Sequence, residues 1–116
     1  MDQTSKIVEW DLLRSKFGIK PGLVEKLVAA AHGSQLNKPS EVREAISAGQ
    51  FDVLAKLAHG VRGTAANLHA LSVQALAGEV ETLAIAQNQM AFTKGTELAE
   101  LVDAMLIEMA GVISGA

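Results

Sequence analysis

A chain of 116 residues that is 49% hydrophobic and 20% charged carries enough apolar material for one packed core and too little length for two. Ten Lys and Arg against thirteen Asp and Glu give a net charge of −3 with no basic stripe, which speaks against a nucleic-acid partner. With no cysteine, disulfides and thiolate metal sites are excluded, and nothing points to an oxidising compartment.

The opening stretch MDQTSKIVEWD lacks the apolar core of a signal peptide. The most apolar region, residues 98–116, is interrupted by Glu100, Asp103 and Glu108 and makes a poor membrane span. The expectation is one domain over residues 1–116, cytoplasmic and away from the membrane. The starting methionine and modest length favour a free-standing protein over a piece of a larger one.

Alanine and leucine dominate, proline occurs twice, and no alternating strand pattern or internal repeat is present, so the chain reads as helical. A first short helix is predicted over about 5–16, with Ile7, Val8, Leu12 and Leu13 inward, Trp10 at its edge and Phe17-Gly18 as its stop. A second starts near Pro21 with Val24, Leu27, Val28 and Ala31 as its stripe. Asn37-Lys38-Pro39 kinks it or breaks it in two, and the pattern resumes with Val42, Ala45 and Ile46 until Gly49. Further helices are predicted over 51–67, over 71–87 with Val73, Leu76, Val80 and Leu83 inward, and over 94–113 with Thr93 or Thr96 as cap. The last has Leu98, Leu101, Val102, Met105, Leu106, Met109 and Ile113 as its stripe, while Glu97, Glu100, Asp103 and Glu108 read as a solvated face. Short connections set neighbours antiparallel. The fold class is therefore all-α, an up-down antiparallel four-helix bundle with an additional short N-terminal helix.

The helix over 51–67 departs from a purely structural pattern. On a wheel of about 100° per residue, Leu54, Leu57, Val61, Thr64 and Leu68 form a core stripe. His59 falls almost opposite, among Asp52, Lys56, Arg62, Gly63 and Ala66. Gly60 and Gly63 stand inside the helix, each costing roughly 1 kcal/mol relative to alanine. Gly63 lies one turn beyond His59 on the same face, so its missing side chain leaves the imidazole bare to another protein's backbone. An exposed imidazole is mostly the neutral nucleophile near pH 7. Lys56 at i−3 and Arg62 at i+3 can offset the charge that grows when such a ring attacks a phosphoryl group, a reaction that needs mainly positioning and charge stabilisation. By contrast, His32 reads as a boundary residue of its helix and His69 as a turn residue. Met105 and Met109 read as core filler, and no metal-ligand spacing appears.

The segment LAHGVRGTAANL, followed by QALAGEVE, resembles the phosphorylation-site signature of the histidine phosphotransfer (HPt) family of two-component phosphorelays. The matching residues are His59, Arg62, Gly63, Ala65, Ala66, Leu68, Leu76 and Val80-Glu81. Upstream, EWDLLRSKFG and EVREAISAGQFDVLAKLAH resemble the family's first helix and its approach to the site, so the likeness covers roughly residues 7–85. The resemblance implies an antiparallel four-helix bundle in which His59 accepts a phosphoryl group from one receiver-domain aspartate and passes it to another. It makes the chain a relay intermediate rather than a turnover enzyme, with Lys56, Arg62, Gly63 and Ala66 as the phosphate-stabilising and docking residues. No cofactor is expected on the chain itself, Mg²⁺ being held by the partner receiver. The implied partners are response-regulator receiver domains and a hybrid sensor histidine kinase, with the chain a monomer. Two departures from the family pattern stand out. His69 occupies a helix-closing position usually held by Gly, and Arg62 replaces the commoner Lys. The alternatives are an HPt-like scaffold that docks a receiver or kinase without transferring phosphate, and a small helical metal or ligand binder.

Overall fold

A computed structural model describes residues 6–17 and 22–115. All regular structure among these is helical: α1 (Trp10–Phe17), α2 (Leu23–Gln35), α3 (Lys38–Ser47), α4 (Phe51–Asn67), α5 (Leu71–Ile85) and α6 (Met90–Gly115). The expected stop at Gly18 and start at Pro21 lie outside the described residues.

Asn37-Lys38-Pro39 does break a helix in two. Pro39 sits in the first turn of α3, where its missing N–H is no loss, and it cannot carry the ladder through from α2. The long helix α6 has 26 residues, about 39 Å at 1.5 Å per residue, and runs nearly the full 44 Å length of the molecule. α2, α3 and α5 pack along it, and α4 packs chiefly on α5 and then on α3. The core along these contacts is built from Val28, Val42, Leu54, Val61, Leu68, Val73, Val80, Leu98, Val102, Met105 and Met109.

α4 and α5 form the most extensive helix pair, and small residues explain why. Ala58 and Ala65 on α4 and Ala77 and Ala84 on α5 are buried, so the two backbones approach without large side chains between them. This recentres α4. Its buried arc is Leu54, Ala58, Val61, Ala65 and Leu68, with Leu57 and Thr64 only half-buried. The stripe expected from the large residues is therefore rotated by roughly 40° on the wheel. His59 consequently stands about 140° from the centre of the buried arc, displaced from directly opposite the core toward α5.

Several expected positions change. The first helix begins at Trp10, because Ile7 and Val8 form a bend held by side-chain bonds rather than by helical ones. The Glu108 carboxylate accepts the N–H of Ile7 (2.7 Å), the N–H of Val8 (3.1 Å) and the indole Nε1–H of Trp10 (2.9 Å). Trp10 is accordingly buried rather than at the edge, and Leu12, expected inward, is 50% exposed. Glu108 is thus a clasp and not part of a solvated face, and Asp103 pairs with Arg43 of α3 at 2.8 Å. The last helix starts earlier than predicted. Asn88, not Thr93 or Thr96, accepts the N–H of Met90 at 2.9 Å, and the Thr96 hydroxyl donates to the Phe92 carbonyl from inside the helix. Ile113, placed in the α6 stripe, is 37% exposed. No described helix is long and apolar enough to cross a membrane.

Candidate functional site

His59 lies in the middle of α4, with 66% of its side chain exposed. The close α4–α5 approach brings a carboxylate to it. Nδ1 of His59 is 2.8 Å from Oε2 of Glu81, whose side chain is only 16% exposed. An ionised carboxylate can only accept, so with Glu81 ionised this contact places the proton on Nδ1, and Nε2 makes no hydrogen bond among the described residues. The Arg62 guanidinium completes the group. Its Nη1 is 3.3 Å from Oε1 of Glu81 and its Nη2 is 3.3 Å from Nδ1 of His59. Since Nδ1 is already a donor, the second distance is a close approach of charge rather than a hydrogen bond. Glu81 therefore faces two donors, and Arg62 places a positive charge beside the ring.

The Arg62 stem passes over Gly78 of α5: a Cβ there would stand 3.5 Å from Cδ of Arg62, an ordinary van der Waals contact. At Gly60 and Gly63 a Cβ would meet nothing within 4 Å; neither glycine is required by packing inside the chain. Gly63 is exposed one turn beyond His59, as its spacing predicts, and Ala66 is half-buried a further turn along.

On the other flank an apolar groove of about 470 Å³ opens between the first half of α4 and the end of α5. Phe51, Ala55, Ala84 and Ile85 supply its apolar wall, and Lys56, His59 and Glu81 lie on it. Phe51 is fixed by stacking on Phe92 of α6, with ring centroids 4.6 Å apart and planes 15° from parallel. Ile85 is 68% exposed, a large apolar side chain presented outward beside the imidazole.

The structure thus brings together His59 and Arg62, sets Lys56 on the same groove and leaves Gly63 open one turn away. Sequence reasoning missed the role of Glu81. It appeared there only as a residue of the signature, 22 positions from His59 on another helix, where helical spacing predicts no contact. His32 makes no contact with this group, and His69 closes α4 with a φ of 56°. Among the described residues no group of His, Asp and Glu could hold a metal ion.

Residues 21–111 match the family model described as the Hpt domain. No curated protein and no solved structure matches the chain.

Proposed function

The chain belongs to the Hpt domain family, whose members carry phosphoryl groups in two-component phosphorelays, and on that premise we propose that His59 is its phosphoacceptor. The observation that carries this reading is the 2.8 Å contact between Nδ1 of His59 and Glu81, which leaves Nε2 as a free, outward-facing nucleophile. In this reading the chain is a single domain, with the four arms of an antiparallel bundle formed by the broken α2–α3 pair, α4, α5 and α6. It acts as a monomer in the cytoplasm between a hybrid sensor kinase and a receiver domain.

The transfer balances without any proton leaving the ring. Nε2 attacks the phosphorus of an aspartyl phosphate, the P–O bond to the aspartate breaks, and the aspartate departs as a carboxylate. The product is a phosphoryl group on Nε2 of a ring that keeps its Nδ1 proton and so gains positive charge. Glu81 offsets that charge through the hydrogen bond it already makes. Reversal of the same steps passes the group to a second aspartate. Arg62, and Lys56 from the groove wall, supply positive charge for the phosphoryl oxygens, while Gly63 leaves room for the partner's backbone. The chain itself brings no cofactor; Mg²⁺ is assigned to the receiver.

Incubation with a phosphorylated receiver domain of the same organism tests the reading. The expected product is a label that survives alkali, is lost in acid and is absent from His59→Gln. A label of unchanged yield in His59→Gln would overturn it.

A further inference from the structure

Three helices end in the same way. In each, a residue with positive φ donates its N–H to the carbonyl three positions back, and the next residue donates to the carbonyl five positions back. At the end of α3 these bonds run from Gly49 to Ile46 (3.0 Å) and from Gln50 to Ala45 (2.9 Å). At the end of α4 they run from His69 to Ala66 (3.2 Å) and from Ala70 to Ala65 (2.8 Å). At the end of α5 they run from Gln87 to Ala84 (3.0 Å) and from Asn88 to Leu83 (2.9 Å). The pivot residues have φ of 67°, 56° and 55°, a left-handed conformation that glycine adopts freely and other residues adopt at a cost.

Glycine fills the first pivot and not the other two. At His69 the side chain is half-buried, with its Nε2 enclosed by the chain and without a hydrogen-bond partner. Gln87 has no such enclosure. Its side chain is exposed and its amide makes no hydrogen bond among the described residues, yet it lines the groove that holds His59, Lys56 and Ile85. A strained backbone at a position where glycine would serve the fold better points to work done outside the fold.

We infer that Gln87 is a specificity-determining residue for docking of the receiver domain. The inference rests on the relay reading, because the groove is continuous with His59. The occupant is a receiver surface that inserts an apolar side chain between Phe51, Ala55 and Ile85 and meets the Gln87 amide with a polar group at the rim. The groove's composition carries that choice: its floor is apolar, its charged lining residues Asp52, Lys56 and Glu81 carry both signs, and the Gln87 amide adds a donor and an acceptor at the edge. A polar group left unpaired at this edge is penalised, so the amide discriminates between receivers more than it strengthens binding to all of them.

Binding is measured for the 116-residue chain and its variants against receiver domains of the same organism activated with beryllofluoride. Gln87→Gly is expected to melt at a higher temperature, since the strain is released, and to bind its best receiver about tenfold more weakly, with preference among receivers narrowed. Gln87→Ala is expected to lose the same affinity without gaining thermal stability, which separates loss of the amide from backbone loosening. Labelling of His59 by phosphoramidate, a small donor that needs no docking, should be unchanged in both. Affinities of both variants within twofold of wild type, for every receiver, would overturn the inference. So would a wild-type chain that binds no receiver. Failure of the relay reading registers separately, as undiminished label in His59→Gln while receiver binding remains sensitive to Gln87.

Discussion

On α4 a Cβ built at Gly60 or Gly63 would touch nothing within 4 Å, whereas on α6 a Cβ at Gly95 would stand 2.9 Å from Cδ1 of Ile46 and 3.5 Å from both methyl carbons of Leu54. Both regions spend helix propensity on glycine, roughly 1 kcal/mol for each residue. At Gly95 the return is internal: α6 comes close enough to α3 and α4 for Ile46 and Leu54 to pack against its backbone. At Gly63 nothing inside the chain gains, and on the relay reading proposed above the return lies outside, where a partner's backbone would approach His59. The same sequence letter marks packing in one helix and access in the other, and only the surrounding side chains tell the two apart.

The largest effect that bears on this contrast is expected at Gly95. Gly95→Leu drives a side chain into Ile46 and Leu54 and should cost about 3 kcal/mol, the upper part of the range for overpacking a core. Thermal melting followed by circular dichroism should fall by on the order of 10 °C. A variant that melts with wild type would mean that α6 can shift away from α3 at no cost, and the internal half of the contrast would be lost.

Somewhat smaller effects are expected from two carboxylates that serve the two regions. Glu108→Ala removes the acceptor for three N–H donors of the N-terminal segment. It should destabilise the fold by about 2 kcal/mol, with Trp10 fluorescence shifting to the red as the indole meets water. Transfer at His59 should keep its rate. Glu81→Ala removes the partner of Nδ1 and should slow transfer from a receiver by roughly 10- to 100-fold, the worth of a hydrogen bond between charged groups, with little change in melting. If the two variants exchanged these phenotypes, the division into a region that holds the fold and a region that meets partners would be wrong.

How far each region could be read in the sequence follows the same line. The bounds of α4, the break before Pro39 and the exposure of His59 follow from local pattern: apolar period, proline and the bare face around Gly63. The rotation of the α4 stripe was not legible in that pattern, because Ala58 and Ala65 weigh little on a hydrophobic wheel although they lie at the most closely packed interface. Glu81 and Glu108 look alike in sequence, each one acid among others on an amphipathic helix. What distinguishes them from solvated acids is the element packed opposite, α4 for one and the N-terminal segment for the other, and that is tertiary information. Trp10 was misplaced for the same reason, since its indole is buried by the acceptor it finds on α6. The Asn88 cap escaped notice because threonines further along offered an equally good local signal for a later start.

The finest division concerns Gly60 and Gly63, which share a helix, an open Cβ direction and ordinary helical φ, yet differ in where they face. Gly63 shares the face of His59, whereas Gly60 lies about 100° around the helix from it. Gly60→Ala and Gly63→Ala should each raise stability, by about 0.5–1 kcal/mol, because alanine loses less chain entropy in a helix and neither methyl meets an obstacle. Phosphotransfer should separate them. Gly60→Ala is expected to carry phosphate at the wild-type rate. Gly63→Ala should show a raised KM for the receiver, a few-fold at most for a single methyl, with labelling by phosphoramidate unchanged. Equal KM values for the two alanine variants would remove the reason for a glycine beside His59. A raised KM in Gly60→Ala alone would move the docking face around α4, away from the Glu81 side and toward α3.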